Sequence, residues 1–256
     1  MQRVRHHGRE IAYRVSDRGG TGPSLLCVHG SGGSHGVWKS QSRLADRYSI
    51  VSLDLSGHGE SDDVDADAGI ESLSAYATDV EAVAEETGAD VLVGNSLGGA
   101  VAMWIALERE LDLAGLVLVG TGAKLSVLED LLVWLSEDFD RAVEFLHAPD
   151  RLFHDPDERL LELSRGSMEA AGRAVTERDF RTSHTFDVRD RLDEIDVPSL
   201  AVVGEHDKLT PPWYHEFLAE EIPDCGLAHV EDAAHLAMLE QPTAFNAALE
   251  EFLSRL

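Results

Sequence analysis

Only two cysteines and three lysines occur in the 256 residues, and neither scarcity is neutral. Cys27 and Cys225 cannot build the disulfide framework of a small secreted domain, and neither has metal-site spacing, so both read as small buried hydrophobes. No apolar run approaches the roughly 20 residues a spanning helix needs, which excludes a membrane partner of that kind. The first ten residues are polar and basic and lack the apolar stretch of a secretory signal, so the expected location is the cytoplasm. Positive charge is short overall: 21 Lys and Arg stand against 48 Asp and Glu, a formal charge of −27. Electrostatic repulsion therefore disfavours nucleic acid as a partner. The acids are spread along the chain, and the pattern resembles cytoplasmic proteins of extreme halophiles, where concentrated salt screens a carboxylate-rich surface.

What is present is a regular alternation. Short β-branched and leucine-rich runs at 25–28, 49–53, 91–93, 116–119, 200–203 and 226–230 alternate with helical patterns, as in a mostly parallel sheet covered on both faces. A hairpin at 4–7 and 10–15 precedes them, giving eight strands. Helices are expected at 37–46, 73–87, 97–108, 213–221 and 236–253. From Lys124 to about Phe186 no strand pattern exists, only amphipathic helical stretches punctuated by Pro149 and Pro156. The expected organisation is an α/β core over 1–122 and 187–256, carrying a small helical cap insertion over 123–186.

One motif carries chemistry in its context. Gly94-Asn95-Ser96-Leu97-Gly98 fits G-x-S-x-G, with a buried strand leading in and a helix leading out, so Ser96 should sit on a tight strand-to-helix turn. A serine hydroxyl needs an imidazole to activate it. Of the twelve histidines, His235 fits best, because it follows the last strand and precedes the last helical stretch. His229 lies inside that strand, and His147, His154, His184 and His215 read as surface residues. The orienting acid should follow an earlier strand, and Asp207 is chosen there over Glu205 because a proline-bearing turn would hold it. The loop His29-Gly30-Ser31-Gly32-Gly33 offers the N–H of Ser31 as an oxyanion donor beside that of Leu97, while His29 reads as a structural residue. Phosphate binding by this loop is disfavoured, since it has neither G-x-G-x-x-G spacing nor a G-K-[ST] ending. Substrate contacts are expected from Trp38, His35 and Asn95. Trp134, Phe139, Phe145 and Met168 are further candidates for an apolar pocket, with packing between cap helices as the competing explanation. No metal or cofactor is called for.

Four segments occur in an order that resembles the α/β-hydrolases: His29 to Gly33, Asp54-Leu55-Ser56-Gly57-His58-Gly59-Glu60-Ser61, Gly94 to Gly99, and Gly204 to Asp207 with Ala234-His235 beyond. The resemblance spans essentially the whole chain, and it implies that the Asp54 segment is a structural turn. Phe186 to Leu192 is similar to the same stretch of cofactor-free carboxylesterases and enol-lactone hydrolases. Asn95 resembles the residue before the nucleophile in carbon–carbon bond hydrolases, and a serine nucleophile excludes the haloalkane dehalogenases, which use aspartate. The function this implies is hydrolysis of a small ester through an acyl-enzyme. An enol-lactone, a carbon–carbon bond or an acceptor other than water are the alternatives, and a receptor that does not turn over is the rival outside catalysis. The oligomeric state is not legible in one sequence.

Overall fold

The hairpin forms because His7 and Gly8 both take positive φ (46° and 84°), the two-residue turn whose twist suits antiparallel strands. It joins β1 (Gln2–His6) to β2 (Arg9–Ser16), and six further strands follow: β3 (Ser24–Val28), β4 (Ser49–Leu53), β5 (Val91–Asn95), β6 (Gly115–Val119), β7 (Ser199–Gly204) and β8 (Cys225–Val230). The computed structural model describes residues 1–256. All eight strands form one sheet in the order β1-β2-β4-β3-β5-β6-β7-β8. Pairing is antiparallel for β1 with β2 and for β2 with β4, and parallel from β4 onward.

The two-residue period of the strands divides the core. Leu26, Val28, Leu92, Leu116 and Leu118 face one apolar cluster, while Leu25, Cys27, Val91, Val93, Val117 and Val119 face the other. Helices α1 (Ile70–Thr87), α2 (Leu97–Glu108), α6 (Pro212–Glu221) and α8 (Pro242–Leu253) cover these faces. The chain runs from β3 to β4 on one side, then returns to place β5 on the other side of β3. Such a reversal leaves a crevice beyond the carboxyl ends of the two central strands, where α/β sheets bind ligands.

Between β6 and β7 the chain leaves the sheet for α3 (Glu129–Glu137), α4 (Phe139–Leu146) and α5 (Glu158–Thr185), the last kinked at Gly172 (φ 79°). An isolated antiparallel bridge between Lys124 and Asp187 joins the two ends of this excursion.

Two expected helices differ. Residues 37–46 are not one α-helix but two 3₁₀ turns, His35–Trp38 and Gln41–Leu44. Gln41 is drawn inward between them, where its amide donates to Asn246 Oδ1 (3.0 Å) and to the Met238 carbonyl (3.4 Å). The stretch 236–253 splits into α7 (Ala237–Glu240) and α8. Pro242 removes a backbone donor and drives Gln241 to φ −123°, ψ 60°, outside the helical region. No helix is long and apolar enough to cross a membrane. Cys27 is buried, Cys225 half-buried, and both are free thiols.

Candidate active site

Ser96 stands between β5 and α2 with φ 54° and ψ −116°, a left-handed conformation that a non-glycine residue adopts only when its surroundings enforce it. The enforcement is visible. The Ser96 N–H donates to the Val119 carbonyl (2.9 Å), and its own carbonyl accepts from Gly99 N (2.9 Å), Ala100 N (3.1 Å) and Thr121 Oγ1 (2.9 Å). The turn closes because Gly94 and Gly98 lack side chains: a Cβ on Gly94 would overlap the Gly98 carbonyl, and one on Gly98 would overlap the Val28 carbonyl. Leu97, as the first residue of α2, presents an N–H with no partner inside the helix.

Asp207 and His235 meet beside this turn. His235 Nδ1 donates to Asp207 Oδ2 (2.9 Å), and both side chains are almost fully buried. The other carboxylate oxygen accepts from the backbone N–H of Leu209 (2.8 Å) and Thr210 (2.9 Å). The Thr210 hydroxyl donates to Oδ2 (2.7 Å) and lies 3.2 Å from His235 Nδ1. Burial pushes the Asp207 carboxyl upward, but the facing His235 and these donors outweigh it, leaving it below the usual carboxylate range. Glu205, the alternative acid, is exposed and 3.9 Å from His206 Nε2. Thr210 had no signal of its own in the sequence beyond the turn that contains it.

The His235 loop is held from three directions. Asn95 Nδ2 donates to the carbonyls of Val119 (3.2 Å) and His235 (3.3 Å). From the excursion after β6, the carbonyls of Arg151 and Leu152 accept the N–H groups of His235 (3.2 Å) and Leu236 (3.0 Å), and that of Asp150 accepts Lys208 N (3.0 Å). Glu240 Oε2 accepts Ala234 N (2.7 Å), while its Oε1 accepts His154 N (2.8 Å) and Asp155 N (3.1 Å).

The glycine-rich loop after β3 is anchored by two buried histidines. His29 Nδ1 donates to the Gly30 carbonyl (2.8 Å) and Nε2 accepts Leu55 N–H (3.1 Å), which describes a neutral ring. Burial first, then the neighbouring His58, lowers its pKa to about 4. His58 Nε2 instead donates to Asp179 Oδ2 (2.9 Å), and this carboxylate on α5 also accepts Tyr76 Oη (2.6 Å) and Gly32 N (3.2 Å). Burial works against the charged ring of His58, but the Asp179 carboxylate overrides it and raises its pKa. Ser31 takes no part in these bonds and lines the same cavity as Ser96.

That cavity, about 790 Å³, receives Ser31, Asn95, Ser96 and His235 on one wall. Phe145, Met168, Phe180, Leu125 and Leu131 line it from the excursion, so two of the four apolar candidates there reach it. Trp134 and Phe139 instead pack at the edge of the core. Trp38 and His35 do not line the cavity and are corrected. Trp38 is 2% exposed and packs on Phe245, its ring centre 6.3 Å away, because the 3₁₀ turn points it into the core. The imidazole Nδ1 of His35 bonds Asp54 Oδ1 (2.9 Å), fixing the turn after β4. Two histidines expected at the surface are also inside: His147 is buried, and His215 accepts Thr121 N–H (3.0 Å) through Nε2. One trio could offer metal ligands, Asp150, His154 and His206, whose donor atoms lie within 4.8 Å of one another. The two rings are stacked at 3.7 Å and nearly parallel, so an ion between them would sit outside both ring planes, a poor geometry for coordination.

With strand order, elbow and cavity in place, comparison with known proteins decides the family. The profile of the alpha/beta hydrolase family matches residues 25–248. The chain belongs to that family. It is 31% identical to the pimeloyl-[acyl-carrier protein] methyl ester esterase of Photorhabdus laumondii, over 96% of this chain and 97% of that protein. It is 25% identical to 3-oxoadipate enol-lactonase 1 of Acinetobacter baylyi, over 87% of this chain and 85% of that one. Among solved structures, a thermophilic esterase superposes with a TM-score of 0.87 at 32% identity, covering 99% of this chain and 97% of that chain.

Proposed function

We propose that this member of the family is a serine hydrolase that cleaves carboxylic esters, with Ser96 as nucleophile, His235 as general base and Asp207 orienting the imidazole. The observation that carries the reading is the convergence on one cavity of a serine in an enforced left-handed turn and a histidine fixed by a buried carboxylate. The Asp207 contact to Nδ1 leaves Nε2 to take the proton as Ser96 Oγ attacks the ester carbonyl. The N–H groups of Ser31 and Leu97 receive the oxyanion. Collapse breaks the carbonyl carbon to alkoxy oxygen bond, His235 returns the proton to the departing alcohol, and water repeats the sequence on the acyl-enzyme. Asn95 and Thr210 act through His235 and Asp207 rather than on substrate.

In this reading residues 123–186 form the cap that shapes the acyl pocket, and its apolar side chains favour an aliphatic or small aromatic acyl group. Named esterases among the relatives support ester cleavage. The Acinetobacter enol-lactonase supports a second reading, in which the ester is internal and the same steps open a ring. No cofactor is assigned. The −27 charge is read as an adaptation to concentrated salt in a cytoplasmic protein, which melting in low and multimolar KCl tests. Stability indifferent to salt would reject it.

The deciding experiment pairs active-site labelling by a fluorophosphonate with hydrolysis of p-nitrophenyl esters of graded chain length. Labelling and turnover by the wild type, both lost in Ser96→Ala, are the expected result. A folded protein that neither labels nor turns over any ester or lactone would overturn the reading.

A further inference from the structure

The wall of the cavity is charged in the sense opposite to the molecule. None of the 48 Asp and Glu residues is among the 33 that line it, although an even spread over the chain would place about six there. Exclusion of charge from an apolar pocket does not explain this, because three cations remain, Lys39, Arg151 and Lys208, about the share that their overall frequency predicts. Two of them are lysines, in a chain that has only three. The selection is thus against negative charge alone.

Arg151 is the best placed of the three. It is half-buried, and its backbone carbonyl holds the N–H of His235 (3.2 Å), which ties its position to the general base. The guanidinium lies 3.6 Å from the centre of the Phe145 ring, and Nη1 donates to the Phe145 carbonyl (2.9 Å). These contacts fix the plane of the group without satisfying Nε or Nη2, and no carboxylate of the protein lies within ion-pair distance of it. A planar, oriented guanidinium with free donors is suited to an oxyacid. Lys208, on the Asp207 loop, is paired with Asp150 through Nζ (2.5 Å), and Lys39 is exposed on the side of the glycine-rich loop. Positive charge therefore flanks an apolar interior, the complement of an amphiphilic anion.

Resting on the ester-hydrolase reading, we infer that the substrate is an ester with an apolar body and a second, anionic oxyacid group, bound by Arg151. The absence of carboxylates from the wall serves the same end, since a carboxylate at contact distance would repel a bound anion even where salt screens the rest of the surface.

The test separates binding from turnover. Monomethyl half-esters of five- to nine-carbon dicarboxylic acids and their uncharged dimethyl esters are titrated calorimetrically into Ser96→Ala, at one fixed salt concentration at which the protein is folded. The half-ester is expected to bind about tenfold more tightly than the diester, and Arg151→Gln on that background should abolish the difference, as loss of a charge-assisted hydrogen bond predicts. Inorganic phosphate, as a competitor, distinguishes a phosphate site from a carboxylate site: displacement of the half-ester at lower concentration than free acetate assigns the group as phosphate, the reverse as carboxylate. Equal binding of half-ester and diester, or a preference unaltered by Arg151→Gln in a folded variant, overturns the inference. If Arg151→Gln fails to fold, Arg151→Lys, which keeps the charge and loses the fork, should retain part of the preference, and full retention or none counts against the role of Arg151. Failure of the wild type to hydrolyse any ester while Ser96→Ala still selects the half-ester would count against the catalytic reading alone.

Discussion

The two walls of the cavity are built on different physics. The wall carrying Ser96, His235 and Ser31 is fixed by directional contacts, nearly all to backbone groups or a buried carboxylate, over loops that close only because small residues meet. The facing wall from residues 123–186 is mostly aliphatic and aromatic surface, held by non-directional burial. A directional wall tolerates almost no change in position, whereas an apolar one can be reshaped at modest cost. In the proposed reading chemistry and selectivity are thus separable, and they touch at Arg151, whose backbone serves the first wall and whose side chain packs on Phe145 of the second.

The largest effect should come from the directional wall. Ser96→Ala is expected to lower kcat by about 10⁶ and Asp207→Asn by about 10⁴, with little change in melting temperature for the serine variant. Steady-state hydrolysis of a p-nitrophenyl ester checks both, and a serine variant retaining a tenth of the activity would erase the distinction between the walls. Next, Trp38→Ala should cost about 3–5 kcal/mol in denaturant unfolding, as removal of a buried aromatic does, with kcat/KM of the folded fraction little changed. A folded variant with intact stability and altered substrate preference would restore Trp38 to the pocket.

The buried histidines set a smaller, pH-dependent term. His29 and His215 have their pKa lowered from 6.5 to about 4, in each case first by burial. The unfolded chain therefore binds more protons than the folded one between these values, and stability should fall as pH drops from 6.5 toward 4, by on the order of a few kcal/mol in all. His58 has the opposite sign. Its raised pKa contributes stability present below 6.5 and lost as pH rises through the folded value. Thermal melts across this range test the balance, and His215→Gln, whose amide oxygen can still accept Thr121 N–H, should lessen the acid-side loss. An unchanged acid-side slope in that variant would mean that His215 titrates normally. The smallest effect belongs to the apolar wall: Phe180→Ala should shift the preferred acyl chain length upward, changing relative kcat/KM by about tenfold for one or two methylenes. Loss of all activity there would show that the second wall is as exacting as the first.

The sheet was legible because buried parallel strands write themselves as short apolar runs, and all eight appear within a residue or two of their expected ends. The placement of Ser96, Asp207 and His235 in the candidate site was legible because each follows a strand at the same sheet edge. The two helices that differed did so for reasons a periodicity cannot weigh: Gln41 pulled inward by Asn246, and Pro242 ending one helix before it and starting another. His215 and His147 look polar in sequence, yet His147 is buried with both ring nitrogens bonded and His215 with Nε2 accepting Thr121 N–H, partners supplied by distant segments or the fold of the helix.

The sequence by itself determined the order of strands and helices, the strand-to-helix turn at Gly94 to Gly98 and the overall negative charge, since these depend on residue type and near neighbours. Only the tertiary structure decided that Trp38 belongs to the core, that Thr210 and Asn95 hold Asp207 and His235, and that every carboxylate is kept off the cavity wall. Those facts depend on which distant segments meet, and the direction a side chain takes there follows from packing and hydrogen-bond partners that no local pattern records.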